Sequence, residues 1–130
     1  MADARPTDPY LRSLLVRALA SLDKSNFVQA ERYVDQVLRA APYDAHALQL
    51  LGLIRRAQNR PDEAIALYQA SLSSNANQPE VEHNLGNIFY SQKKYSESIA
   101  AQTRALQLKQ NFILAYAALA LALSASGEHQ

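Results

Sequence analysis

Cysteine is absent from the 130 residues, which excludes disulfides, thiolate nucleophiles and thiolate-bound zinc. Glycine occurs only three times and never in a cluster, so there is no glycine-rich loop to cradle a phosphate. Neither sign of charge dominates: 13 basic residues stand against 12 acidic ones, a net charge of +1. No whole-molecule field then gathers nucleic acid or an anionic membrane, and neither is expected as a partner. The most apolar stretch, Ile113 to Leu123, is about half as long as a bilayer requires. Residues 1–10 are polar and hold two prolines, so no secretory signal is read there and a cytoplasmic location is expected. No serine lies in a recognisable nucleophile motif, and Asp62 and Glu63 fall at a helix start, where they complement the helix dipole. The chain is read as having no catalytic residues, no cofactor and no enzymatic activity of its own; the activity of any longer protein is left open.

What the sequence does contain is a period. Gly52 and Gly86 are 34 residues apart, as are Leu51 and Leu85, Ala30 and Ala64, and the series Leu38, Leu72 and Leu106. After a tail over 1–8, cutting the domain over 9–130 at that period gives blocks 11–44, 45–78 and 79–112, and a partial 113–130. Self-similarity at this length is the mark of stacked helical hairpins, which present an extended surface instead of an enclosed pocket. Apolar residues recur at three- and four-residue steps, and the pattern predicts seven helices near 9–23, 27–40, 45–58, 61–74, 79–92, 95–108 and 113–126. Asp8, Asn26, Asp44 and Asn111 are read as N-caps, and Pro9, Pro61 and Pro79 as first helical residues. The short gaps between helices force antiparallel neighbours.

The blocks resemble the tetratricopeptide repeat over essentially residues 11–126. Block three has Leu85 and Gly86 at the family's Leu-Gly pair, Phe89 at its first-helix aromatic, Tyr95 opening the second helix, and Ala105 and Leu106 closing it. Block two carries Leu48, Leu51, Gly52, Ala64, Tyr68 and Leu72, and block one carries Leu14, Ala18, Phe27, Ala30 and Pro42. Small residues at the eighth and twentieth positions let the two helices of a hairpin approach, while large ones fill the adjoining holes. The resemblance implies an all-α fold, a right-handed α-solenoid of antiparallel hairpins with three full repeats and one unpaired helix. Its style is similar to the N-terminal repeats of bacterial glycosyltransferases and sulfotransferases. Three positions depart from the pattern: Arg17 replaces a leucine, and Ser71 and Ser98 replace alanines. Arg17 marks block one as a degenerate terminal repeat.

In this family the first helices line a concave groove, which puts the second, fifth, ninth and twelfth positions of each block on it. The resemblance so assigns Arg12, Leu15, Leu19 and Leu22; His46, Gln49, Leu53 and Arg56; Glu80, His83, Asn87 and Tyr90; and Leu114, Ala117, Leu121 and Ser124. Such a surface, apolar at its ends and polar in the middle, suits a polypeptide partner with aliphatic anchors. Relatives that clamp a chaperone's terminal carboxylate begin that clamp where Leu15 and Leu19 stand, so this mode is not expected. Glycosyltransferases of the O-linked N-acetylglucosamine type use an asparagine ladder at the sixth position; Asn84 matches, whereas Val16, Leu50 and Ala118 do not. Asn84 and Asn87 remain able to pair with one stretch of partner backbone, and a surface or inter-helix hydrogen bond is at least an equal role for Asn84.

His46 and His83 have no convergent third and fourth ligands, Glu80 and Glu82 being the nearest carboxylates, so no metal is expected. Arg55, Arg56 and Arg60, like Lys93 and Lys94, read as a solvated edge. His83 and Asn87 are read as surface groups and Leu51 as a buried one. Docking a polypeptide is therefore the leading reading. The alternatives are a substrate-recruiting segment of a larger glycosyltransferase or sulfotransferase, and a self-assembly module. The last rests on residues 113–125, which are apolar nearly all round where a terminal cap would carry a polar outer face. The chain is accordingly expected to be a piece of a longer protein and to form a homodimer through Leu114, Ala118 and Leu121.

Overall fold

The computed structural model describes residues 8–128. The described residues form seven helices: α1 (Pro9–Asp23), α2 (Phe27–Ala40), α3 (Ala45–Ala57), α4 (Pro61–Ser74), α5 (Pro79–Ser91), α6 (Tyr95–Leu108) and α7 (Ile113–Glu128). The predicted helices agree with these to within two residues at every end. Residues 1–7 of the expected tail, and the last two residues of the partial fourth repeat, lie outside the described residues.

The chain divides into two compact units, Met1–Ala76 and Asn77–Gln130. The first holds the hairpins α1–α2 and α3–α4, and the second holds the hairpin α5–α6 with α7 packed on it. In the first unit Leu14, Ala18, Ala30, Val34, Val37, Ala47 and Ile54 form the core. Leu51 only packs against it half-buried, short of the full burial expected of it. In the second, Ala105, Phe112 and Ala115 form a cluster where α7 meets α6.

Helix starts follow the capping chemistry. The Asp8 and Asp44 carboxylates accept from the backbone N–H groups of Tyr10 and Ala47, each at 2.8 Å, and the Asn26 side chain accepts from Gln29 at 3.3 Å. Prolines open α1, α4 and α5, where a missing N–H costs nothing. The fourth expected cap shifts by one residue: the Phe112 carbonyl accepts the first helical bond of α7, from Tyr116, so Phe112 and not Asn111 holds the capping position.

The three turns inside the hairpins share one geometry. Ser25, Asn59 and Lys93, each the fifteenth residue of its block, have φ near +60°. The residue after each sends its N–H back five residues, from Asn26 to Ser21, Arg60 to Arg55 and Lys94 to Phe89, at 2.8, 2.8 and 2.9 Å. This is the left-handed stop that satisfies the last carbonyls of the first helix and reverses the chain within three residues.

Close packing inside the hairpins depends on the small positions. A methyl group added at Gly52 would lie 2.7 Å from the Tyr68 ring of α4. The two serines that stand in for alanine each donate across their hairpin, Ser71 to the Ala45 carbonyl at 2.7 Å and Ser98 to the Gly86 carbonyl at 2.9 Å. Both are fully buried, and the bond removes the penalty of burying a hydroxyl.

Candidate functional site

In the first unit, α1 and α3 lie side by side and leave a cavity of about 300 Å³ between them. Leu15, Val16 and Leu19 line it from α1, and His46, Gln49, Leu50 and Leu53 from α3. Five of these seven side chains are aliphatic, and Val16 and Leu19 are well exposed, so the cavity is an open apolar groove with two polar groups beside it. The capped start of α3 at Asp44 fixes where His46 and Gln49 emerge. Five residues assigned by repeat position thus meet here: Leu15, Leu19, His46, Gln49 and Leu53. Arg56 is exposed and does not line the groove; its charge acts instead on the Tyr68 hydroxyl.

The second unit offers a polar assembly. His83 and Asn87, four residues apart on α5, both meet Gln102 of α6, which is fully buried. The His83 Nδ1 lies 2.9 Å from the Gln102 Oε1, and the Gln102 amide donates to the His83 carbonyl at 3.1 Å. Since the oxygen only accepts, His83 carries its proton on Nδ1, and its Nε2 accepts from the Asn87 amide at 3.2 Å. Phe112 stacks obliquely on the imidazole, with ring centroids 5.1 Å apart. His83 is therefore a half-buried, triply held group and not the free surface group its repeat position suggested.

Beside it, Glu82 is almost buried and accepts from the Arg104 Nε at 3.1 Å. Glu80 pairs with Lys109, which also sits over the Phe112 ring. Asn84 is half-buried and Tyr90 exposed against Tyr95. On α7, Leu114, Ala117 and Leu121 are exposed and Ala118 is half-buried. Among the described residues no three of His, Asp and Glu converge to hold a metal ion, and no helix is long and apolar enough to cross a membrane.

Two kinds of residue were not singled out for the site from the sequence. Val16 and Leu50 line the groove at the sixth position, which the resemblance assigns a role only when it holds asparagine. Gln102 was hidden because it occupies the twenty-fourth position, where block two has Tyr68. The readable signal was a polar side chain at a place where the period demands a large buried one.

These hairpins of like length, with small residues at the helix crossing and one turn geometry repeated three times, define a helical repeat protein. The tetratricopeptide repeat family model matches residues 15–80, and a second model of the TPR repeat matches residues 86–127. The chain belongs to the tetratricopeptide repeat family, whose repeat domains are generally non-catalytic protein-binding modules.

Among solved structures, PilF of Pseudomonas aeruginosa shares 24% identity with a TM-score of 0.80, over 86% of this chain and 51% of PilF. A mutant O-GlcNAc transferase of Thermobaculum terrenum shares 26% identity with a TM-score of 0.80, over 87% of this chain and 22% of the transferase. The Yersinia enterocolitica type III secretion chaperone SycD, solved with a peptide of the translocator YopD, shares 16% identity with a TM-score of 0.83. That match covers 95% of this chain and 98% of SycD. The chain thus spans about half of PilF and about a fifth of the transferase. No curated protein sequence matches it.

Proposed function

We propose that the chain docks a polypeptide partner and that the α1–α3 groove of the first unit receives the partner's aliphatic side chains. The groove itself carries the reading. An open apolar channel of about 300 Å³ between two first helices has the size and lining of a site for side-chain anchors, not for a polar metabolite. His46 and Gln49 supply the few polar groups that orient a bound segment. The SycD complex, a chain of the same fold solved with a peptide, supports the reading.

A test uses an amphipathic peptide with leucines at i, i+3, i+4 and i+7, titrated into isotope-labelled protein. Saturable shifts should centre on Leu15, Leu19 and Leu53, and Leu19→Glu should abolish them while the melting temperature holds. Shifts that persist in the Leu19→Glu variant would place docking elsewhere.

Two further roles each rest on one observation. The exposed leucines of α7 favour self-association through Leu114, Ala118 and Leu121. The 26% identity to the transferase favours a substrate-recruiting role in a longer enzyme. A catalytic domain encoded in the same reading frame would establish the latter.

A further inference from the structure

Two cations of the first repeat stand where the later repeats are neutral. At the seventh position Arg17 replaces the leucine found as Leu51, Leu85 and Leu119, and at the fourteenth Lys24 replaces the glutamine found as Gln58 and Gln92. At the twenty-third, Tyr33 brings a hydroxyl where the later blocks have Leu67 and Ala101. All three line one pocket of about 270 Å³ at the turn from α1 to α2, together with Ala20, Ser21 and Asn26.

The lining is one-sided in its chemistry. Arg17 and Lys24 bring charge, and Ser21, Asn26 and Tyr33 bring neutral donors. The Asn26 oxygen is spent on the Gln29 N–H, which leaves its amide nitrogen as a donor. Among the described residues no carboxylate lines the pocket, and Asp23, the nearest in sequence, stays outside it. The left-handed turn occupies the Ser21 and Leu22 carbonyls at the end of α1 with the Asn26 and Ser25 N–H groups, which blunts the negative pole there. The positive end of α2 opens at Asn26. A solvating end cap needs polarity of either sign, and aspartate or glutamate would serve it as well. A concave set of donors around two cations is what a tetrahedral dianion requires.

We propose that this pocket binds a phosphate group, either free on a small molecule or carried by a phosphorylated residue of a partner polypeptide. Its residues are separate from those lining the α1–α3 groove, so the proposal stands or falls independently of that site.

The test titrates inorganic phosphate into isotope-labelled protein at fixed ionic strength, with sodium chloride as the blank. Saturable shifts confined to residues 17–33 are expected, with a dissociation constant on the order of 1 mM. Arg17→Gln with Lys24→Gln should weaken binding at least about tenfold, whereas Lys93→Gln with Lys94→Gln should leave it unchanged. Tyr33→Phe, which removes only a hydroxyl, keeps the test sound if the double variant melts early; it should weaken binding by about two- to fivefold.

A phosphoserine peptide and its unphosphorylated form then separate the sources. Tighter binding of the phosphopeptide than of inorganic phosphate assigns the group to a polypeptide, and equal binding assigns it to a free ligand. Shifts that stay linear, match the chloride blank, spread equally to Lys93 and Lys94, or survive in both pocket variants would overturn the proposal.

Discussion

At the residue scale, the packing of α3 on α4 rests on what Gly52 leaves open. A methyl group at Gly52 would come within 2.7 and 2.8 Å of two Tyr68 ring carbons, and that ring is fully buried. Alanine favours helix over glycine by about 1 kcal/mol, but overpacking a close core contact costs about 1–3 kcal/mol. Gly52→Ala is therefore expected to destabilise the protein by up to about 2 kcal/mol in denaturant unfolding, although its site is helical. Tyr68 carries a liability of its own, because its buried hydroxyl has no hydrogen-bond partner among the described residues. Burial pushes its pKa from 10.0 up to about 12, with the nearby Arg56 opposing the rise. The unfolded chain thus loses this proton near pH 10 while the folded chain holds it, so the contribution is intact below pH 10 and is lost between 10 and 12. Tyr68→Phe should gain up to about 1 kcal/mol at neutral pH. It should also remove about 2–3 kcal/mol of the alkaline decline, read as the difference between the two unfolding profiles.

At the scale of elements, the turns show how a repeat tolerates poor local choices. Ser25, Asn59 and Lys93 all sit in the left-handed region, which costs an ordinary side chain about 1–2 kcal/mol and asparagine less. Glycine relieves that strain but adds about 0.5–1 kcal/mol of backbone entropy on folding. Lys93→Gly and Ser25→Gly should each stabilise by about 0.5 kcal/mol, and Asn59→Gly by less, an ordering that thermal melts can check. An ion pair adds to the apolar packing of α2 on α3: Arg55 holds both oxygens of Glu31, at 2.7 and 2.9 Å. The hydrogen bond from Arg55 lowers the Glu31 pKa below its ordinary 4.5, so the stability it lends is present above that value and is lost as the pH falls through the lowered one. A Glu31→Gln and Arg55→Met cycle should give a coupling of about 1 kcal/mol at pH 7 that fades in acid.

All seven helices of the described residues are legible in the sequence, because prolines and aspartates mark their starts and the period fixes their spacing. Asn111 misled because a capping residue type stood one place from the carbonyl that begins α7. The site was legible only in part. Repeat position put Leu15, Leu19 and Leu53 in one groove, but it also made His83 a surface group. Its tie to Gln102 depends on a side chain that replaces an aromatic on another helix, which no local pattern announces.

At the scale of the whole molecule, the apolar surface of α7 sets an expectation for association. Ala115 and Ala122 turn inward, fully buried, while Ile113, Leu114, Tyr116, Leu121 and Leu123 are all more than half exposed. Five large apolar side chains on about three turns of one helix leave more apolar surface open than the singly scattered exposures usual on a soluble monomer. Leu114 and Leu121 lie two turns apart, and the exposed Ala117 between them permits a second helix to approach closely. A two-fold pairing of α7 with its copy matches leucine to leucine and closes on itself, so it yields dimers and not filaments. The net charge of +1 offers little repulsion to oppose it. Sedimentation velocity across a concentration series is expected to show a reversible dimer of this chain. Leu121→Glu should shift it to monomer without loss of helicity, since that side chain is exposed and supports no core. A clean monomer at about 100 μM, well above micromolar dissociation constants, would exclude α7 as a self-association surface.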